Sequence, residues 1–183
     1  MSSGVVTFTP IGPGYTYSGT RVLNYVIQDS NTLEAASTIT IIALPPPATK
    51  AVADSSTVVF ATSATLTPLT NDSAGTIPAD YTTQGSVALD SSTLKLCGAT
   101  ETPANSSSSG CTQTSVTVTD VGTWSLSGST VTFAPVSTYS GTVTRNYQVC
   151  NTVSGTWAPS TPSASCSSAT MTVRWISLSR VAR

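Results

Sequence analysis

The feature that most constrains how this chain folds is an internal repeat written in two-residue alternation. Residues 122–149 read GTWSLSGSTVTFAPVSTYSGTVTRNYQV. Within them Trp124 and Leu126 alternate with Thr123 and Ser125, Val131 and Phe133 with Thr130 and Thr132, and Tyr147 and Val149 with Asn146 and Gln148. A period of two, bounded by Gly, Ser and Pro, predicts half-buried strands joined by tight turns. The pattern recurs near the start of the chain. VVTFTP (5–10) matches TVTFAP (130–135), YSGTRVLNYVI (17–27) matches YSGTVTRNYQV (139–149) without a gap, and STITI (37–41) matches ATMTV (169–173). One copy is incomplete, because residues 51–126 have no counterpart ahead of Val5.

The rest of the composition agrees with strands. Thr, Val and Ile are β-branched and suit a pleated, half-buried surface, and no long run has the 3.6 period of a helix. Low charge (8%) with few apolar residues would point to disorder. Here 39% apolar residues in alternation argue for a folded core. The reading is all-β, an antiparallel β-sandwich repeat with one complete unit preceded by the C-terminal half of another. In the partial unit, residues 1–44, strands are expected at 5–9, 22–28 and 38–43. The polyproline run Pro45, Pro46, Pro47 cannot join a central strand, so residues 45–50 read as a linker. Residues 51–176 form the complete unit, with strands at 57–60, 64–69, 86–89, 94–96, 115–119, the three of the organising stretch, and 169–175. Eight or nine strands in such a length fit a two-sheet sandwich. Residues 177–183 are a tail. The inward-facing set should be the repeated one: Val6, Phe8, Tyr25, Ile27, Ile39 and Ile41, then Val131, Phe133, Tyr147, Val149, Met171 and Val173, with Trp124 and Leu126 added.

Four cysteines, Cys97, Cys111, Cys150 and Cys166, are an even number in a chain without histidine or a CxxC pair. Two local disulfides, Cys97 with Cys111 and Cys150 with Cys166, are the favoured reading, each closing a Ser/Thr/Pro-rich loop; four buried free thiols are the alternative. The first copy has no cysteine, and Gln28 stands where Cys150 stands. The bridges therefore read as optional staples and not as catalytic or metal-binding groups. Disulfides imply an oxidising compartment. MSSGVV has neither a charged n-region nor an apolar h-region, and the longest apolar run, residues 41–44, is too short to span a bilayer. The expectation is a piece of a longer secreted chain with no membrane insertion.

The ordered set LTNDSAG, GSVALDSSTLKL, GTWSLSGSTVTFAP, YSGTVTRNYQV, SSATMTV resembles the repeat of fibrillar bacterial surface adhesins of the CshA type. That repeat reads GTWTL, VTFTP, a GFTG-like turn, YTVTD and a closing strand of alternating Thr and Val. The likeness covers the second unit nearly end to end and the C-terminal half of the first. Cys150 and Asn151 stand where the family has TD, and the cysteine loops are additions. The resemblance implies an immunoglobulin-like stalk module in an extracellular fibril and brings no catalytic residues.

Chemistry finds little purchase. The acids Asp29, Asp54, Asp72, Asp80, Asp90, Asp120, Glu34 and Glu101 are scattered beside turn residues, where capping accounts for them better than a catalytic carboxylate pair. Without histidine or GxSxG, a serine hydrolase lacks its usual base. Calcium on Asp72, Asp54 and loop carbonyls lacks the usual acidic cluster. An isopeptide bond would need Lys50, in the linker, or Lys95, expected to face solvent beside Leu94 and Leu96. Trp124 reads as the aromatic between the sheets. Trp157 reads as packing over its own disulfide more readily than as a ligand-facing ring. The net charge of −1 leaves no basic patch for nucleic acid.

The expected function is architectural: a stalk module of an extracellular fibrillar adhesin or surface filament, in a larger tandem or head-to-tail assembly, with no enzyme activity, cofactor or metal. The expected partners are neighbouring copies of the repeat, with a host or surface ligand at some distal region. The second reading is a carbohydrate- or ligand-binding module with its site on the cysteine-closed loops, which should show two aromatics side by side in one concavity. The partial unit needs strands from outside to cover its apolar face, through a longer tandem array in preference to donated strands.

Overall fold

A computed structural model describes residues 5–7, 19–43, 47–77, 85–104, 110–155 and 165–176. The chain divides into two compact units, residues 1–46 and 47–183. No helix of the described residues is long and apolar enough to cross a membrane.

The second unit is two four-stranded sheets. One has the order β3-β10-β9-β5, from β3 (Asp54–Val59), β5 (Gly85–Leu96), β9 (Thr142–Gly155) and β10 (Cys166–Ile176). The other has the order β4-β8-β7-β6, from β4 (Ala64–Leu66), β6 (Ser115–Val118), β7 (Gly122–Ser127) and β8 (Thr130–Pro135). All pairs are antiparallel except β3 with β10, which run parallel. A parallel pair needs a long crossover, and here nearly the whole unit lies between the two strands.

The alternation of the sequence sets which face is inward. Trp124, Val131, Phe133, Tyr147, Val149, Met171 and Val173 are fully buried, joined by Leu66, Leu94, Leu96 and Trp175, with Leu126 packed at the margin. Phe133 lies between two tryptophans, its ring centroid 4.7 Å from that of Trp124 and 5.2 Å from that of Trp175. This tight centre explains the glycine of the GTWSL motif. A Cβ on Gly122 would sit 2.6 Å from Phe133 Cζ and 2.4 Å from the Ala134 carbonyl oxygen.

Two expected strands, 86–89 and 94–96, are one strand, β5, with a register shift between Asp90 and Lys95. Side chains bond the irregular backbone. Asp90 Oδ1 accepts from Ser92 N at 3.0 Å, Thr93 Oγ1 donates to the Asp90 carbonyl, and Cys150 N donates to Thr93 Oγ1 at 2.9 Å. With those groups satisfied, the strand passes through the shift without ending. The expected strand 64–69 stops at Leu66 because Pro68 opens a single 3-10 turn, Pro68–Thr70. Pro47–Lys50, read as linker, bonds to the second unit: Lys50 bridges Ser73, Thr49 N donates to Ser165 Oγ, and the Pro47 carbonyl accepts from Asn151.

The described residues of the first unit form a hairpin of β1 (Gly19–Gln28) and β2 (Glu34–Ala43). The strand expected at residues 5–9 does not form at residues 5–7, and Phe8 and Thr9 lie outside the described residues. Nor is the expected inward set enclosed: Val6 is 45% and Ile27 62% exposed, and Tyr25, Ile39 and Ile41 are only half-buried. The physical reason is that, among the described residues, β1 and β2 form a two-stranded sheet with no further strand bonded to either edge. The counterpart strand, β8, is hydrogen-bonded on both sides, to β7 and β4, and residues 5–7 have no such ladder among the described residues.

The repeat extends to the register. In β9–β10, Tyr147 faces Ala169, Arg145 faces Met171 and Val143 faces Val173. At the matching positions of β1–β2, Tyr25 faces Ser37, Leu23 faces Ile39 and Arg21 faces Ile41. Cys150 faces Cys166 where Gln28 faces Glu34.

Candidate functional site

Three places in the fold concentrate polar or reactive groups. The first is the pair of cysteine loops. The structure joins Cys97 to Cys111 and Cys150 to Cys166, leaving no free cysteine. In the first copy, Gln28 Nε2 donates to Glu34 Oε1 at 3.4 Å where the second bridge stands. The sequence separation at this position grows from 6 to 16 between the copies, so the crosslink accompanies the longer loop. Each bridge should stabilise the second unit by about 3 kcal/mol through the unfolded chain. Non-reducing peptide mapping is expected to return only these two pairs, and a Cys97–Cys150 peptide would contradict the arrangement.

Within the Cys97 loop, Glu101 organises the backbone. Its carboxylate accepts from Gly98 N at 2.7 Å, from the Thr112 hydroxyl, from Gln113 Nε2 at 2.8 Å and from Thr112 N at 3.2 Å. These donors hold its pKa down to about 2. That is the signature of a carboxylate used as a loop hub, with its lone pairs occupied.

The second place lies where β3, the turn after β4, and β9 meet. The Tyr147 hydroxyl is 2.8 and 2.9 Å from the two Asp72 carboxylate oxygens and 3.0 Å from the Val52 carbonyl. Asp72 Oδ1 also accepts from Val52 N at 2.7 Å. Asp54 Oδ2, nearby, is buried without a hydrogen-bond partner. Burial, then the charge of Asp72, raises the Asp54 pKa; burial raises that of Asp72 against the bonds from Val52 and Tyr147. Burial and Asp72 push the Tyr147 phenol upward, so it stays protonated as the donor. Asp54 and Asp72, which the sequence offered for calcium, are thus brought together, but Asp72 is already engaged by Tyr147 and Val52. Among the described residues no three His, Cys, Asp or Glu side chains converge. The arrangement pins the start of the unit to its core.

Both aspartates bind protons more readily in the folded unit than in the unfolded chain. Stability therefore rises as pH falls from neutral through their raised pKa values toward 3.8. Glu101 acts in the opposite sense, its contribution being lost as pH falls from 4.5 through about 2. The melting temperature of the second unit should thus rise as pH falls from 7 toward 4.5, below which the Glu101 contribution begins to be lost. Asp54→Asn should raise it at pH 7 and reduce the gain on acidification. A melting temperature of the wild-type chain that falls over this range would contradict the assignment.

The third place is a shallow groove between β5 and the β7–β8 turn, lined by Ser91, Ser92, Lys95, Thr114, Leu126 and Ser129 among others, with no aromatic side chain. Lys95 is half-buried and its Nζ donates to the Ser92 carbonyl at 3.2 Å. Trp124 and Trp175 are in the core, and Trp157 lies outside the described residues.

Sequence reasoning missed Asn151 as a structural polar residue. It is fully buried, donates through Nδ2 to the Pro47 carbonyl at 2.9 Å and the Ala74 carbonyl at 2.7 Å, and accepts at Oδ1 from Ser165 N at 2.9 Å. The signal was present: its counterpart Asp29 uses Oδ1 in the same way, accepting from Leu33 N at 2.9 Å.

The chain matches no family model and no curated protein.

Proposed function

We propose that this chain is a structural stalk module of an extracellular fibrillar adhesin or surface filament, built of immunoglobulin-like repeats of the kind its strand motifs resemble. The observation that carries the reading is the repeated register: one chain holds the same hairpin pairing twice, once within a sandwich and once as a two-stranded sheet of the described residues. Such repetition is how load-bearing arrays are assembled from units that touch mainly their neighbours. Two disulfides fit an oxidising, extracellular setting. Outward faces carry cross-strand polar pairs such as Thr117 with Thr123 at 3.1 Å and Thr170 with Asn146 at 2.8 Å, which stabilise exposed sheet without apolar patches. The polar clusters of the second unit are engaged in bracing loops and strand ends, and this favours architecture over catalysis. The groove beside β5 lacks the paired aromatics of a sugar-binding surface. Immunogold labelling with antibodies to the folded chain tests the proposal on cells or particles of the source. Gold along surface filaments is the expected result, and label confined to the cell interior would overturn it.

A further inference from the structure

The β1–β2 hairpin presents Leu23, Tyr25 and Ile27 beside Ile39 and Ile41 on one face. Leu23 is 45% exposed. At the matching positions of β9–β10, Tyr147, Val149, Met171 and Val173 are fully enclosed. What encloses them is known from the second unit. The sheet β4-β8-β7-β6 lies on that face with Leu66, Trp124, Val131 and Phe133 in the shared core. Both outer edges of the pair are also occupied there, by β3 along β10 and β5 along β9. Residues 5–7 give an independent sign of the same lack. They match the start of β8, yet form no strand, as expected of a segment with no ladder partner among the described residues.

We propose that the hairpin is the receiving half of a split β-sandwich, and that its occupant is a polypeptide segment with the strand pattern of residues 47–127 of this chain, supplied by a like repeat. The segment brings a β4- and β7-type pair to flank residues 5–7, a tryptophan at the position of Trp124 to lie over Tyr25 and Ile39, and β3- and β5-type strands to close the edges of β2 and β1. It also brings a turn aspartate equivalent to Asp72, which bonds the Tyr25 hydroxyl as Asp72 bonds that of Tyr147. Strand donation of this kind satisfies backbone groups and buries the alternate side chains at once. The inference rests on the repeat reading above, but not on where the protein resides, so surface labelling and the following experiment can fail separately.

The test is the full chain with a second copy of residues 47–129 joined directly ahead of Val5. Amide exchange is expected to slow by roughly tenfold or more across residues 5–7, 22–28 and 34–41, approaching the protection of β9–β10. In that duplicated chain Ile39→Asp should abolish the new protection, while in the unmodified chain it should leave hairpin exchange unchanged. Hairpin exchange as fast in the duplicated chain as in the original, with the second unit intact in both, would overturn the proposal. So would a monomeric original chain in which residues 22–28 are already as protected as β9.

Discussion

Replacing Phe133 by alanine is expected to destabilise the second unit by about 3–5 kcal/mol, whereas Thr132→Ala, one residue away, should change it by no more than about 0.5 kcal/mol. The two residues share a strand and differ in face. Phe133 is fully buried between Trp124 and Trp175, opposite Ala64 on β4, with its ring edge filling the space left by Gly122. Truncation leaves a cavity bounded by two hydrogen-bonded sheets and two bulky indoles, none of which can move in to close it, so the cost belongs at the upper part of the range for large-to-small changes. Thr132 points the other way, beside Thr65 and Ser125. All three tryptophans fall within residues 47–183, so their fluorescence during urea unfolding reports this unit alone. Equal shifts of the midpoint for the two variants would mean the register is wrong.

The alternation that makes this prediction possible was legible in the sequence because a strand buried on one side repeats every two residues, whatever its partners. It gave the inward faces of β7, β8, β9 and β10 in the second unit. Periodicity says nothing, however, about whether a facing sheet is present. The same reading applied to Val6 and Ile27 expected burial, and those residues are exposed. Local chemistry also hid from the pattern. Asp90 and Thr93 look like turn residues closing one strand before another, yet their side chains bond the backbone and let β5 continue. Asp54 and Asp72 are distant in sequence, and only the parallel docking of β3 on β10 and the turn after β4 bring them to Tyr147. Pro45, Pro46 and Pro47 read as a linker from composition, and the reach of Asn151 to the Pro47 carbonyl could not be read that way.

Asn151→Asp is the second large effect, expected to cost about 3–5 kcal/mol at pH 7, while Asp29→Asn at the matching place in the first unit should be nearly neutral. Both residues accept from a backbone N–H across the hairpin end, Asn151 from Ser165 and Asp29 from Leu33. A carboxylate preserves that bond, so the shared interaction cannot distinguish them. The difference lies on the other side of the group. Asn151 Nδ2 donates to two carbonyls, those of Pro47 and Ala74, in a site closed to solvent. An aspartate there offers no donor: it leaves both carbonyls unpaired and sets a charge against their negative ends. Asp29 is exposed and its carboxylate also accepts from Asn31 N, so its charge stays in water. The variant should regain part of its stability as pH falls and the new carboxyl is protonated, because a neutral acid supplies one donor. Two lost bonds and one recoverable donor predict incomplete rescue at pH 5. A pH-independent loss would assign the effect to packing, and no loss at all would remove Asn151 from its place as the tie between residues 47, 74 and the closing strands.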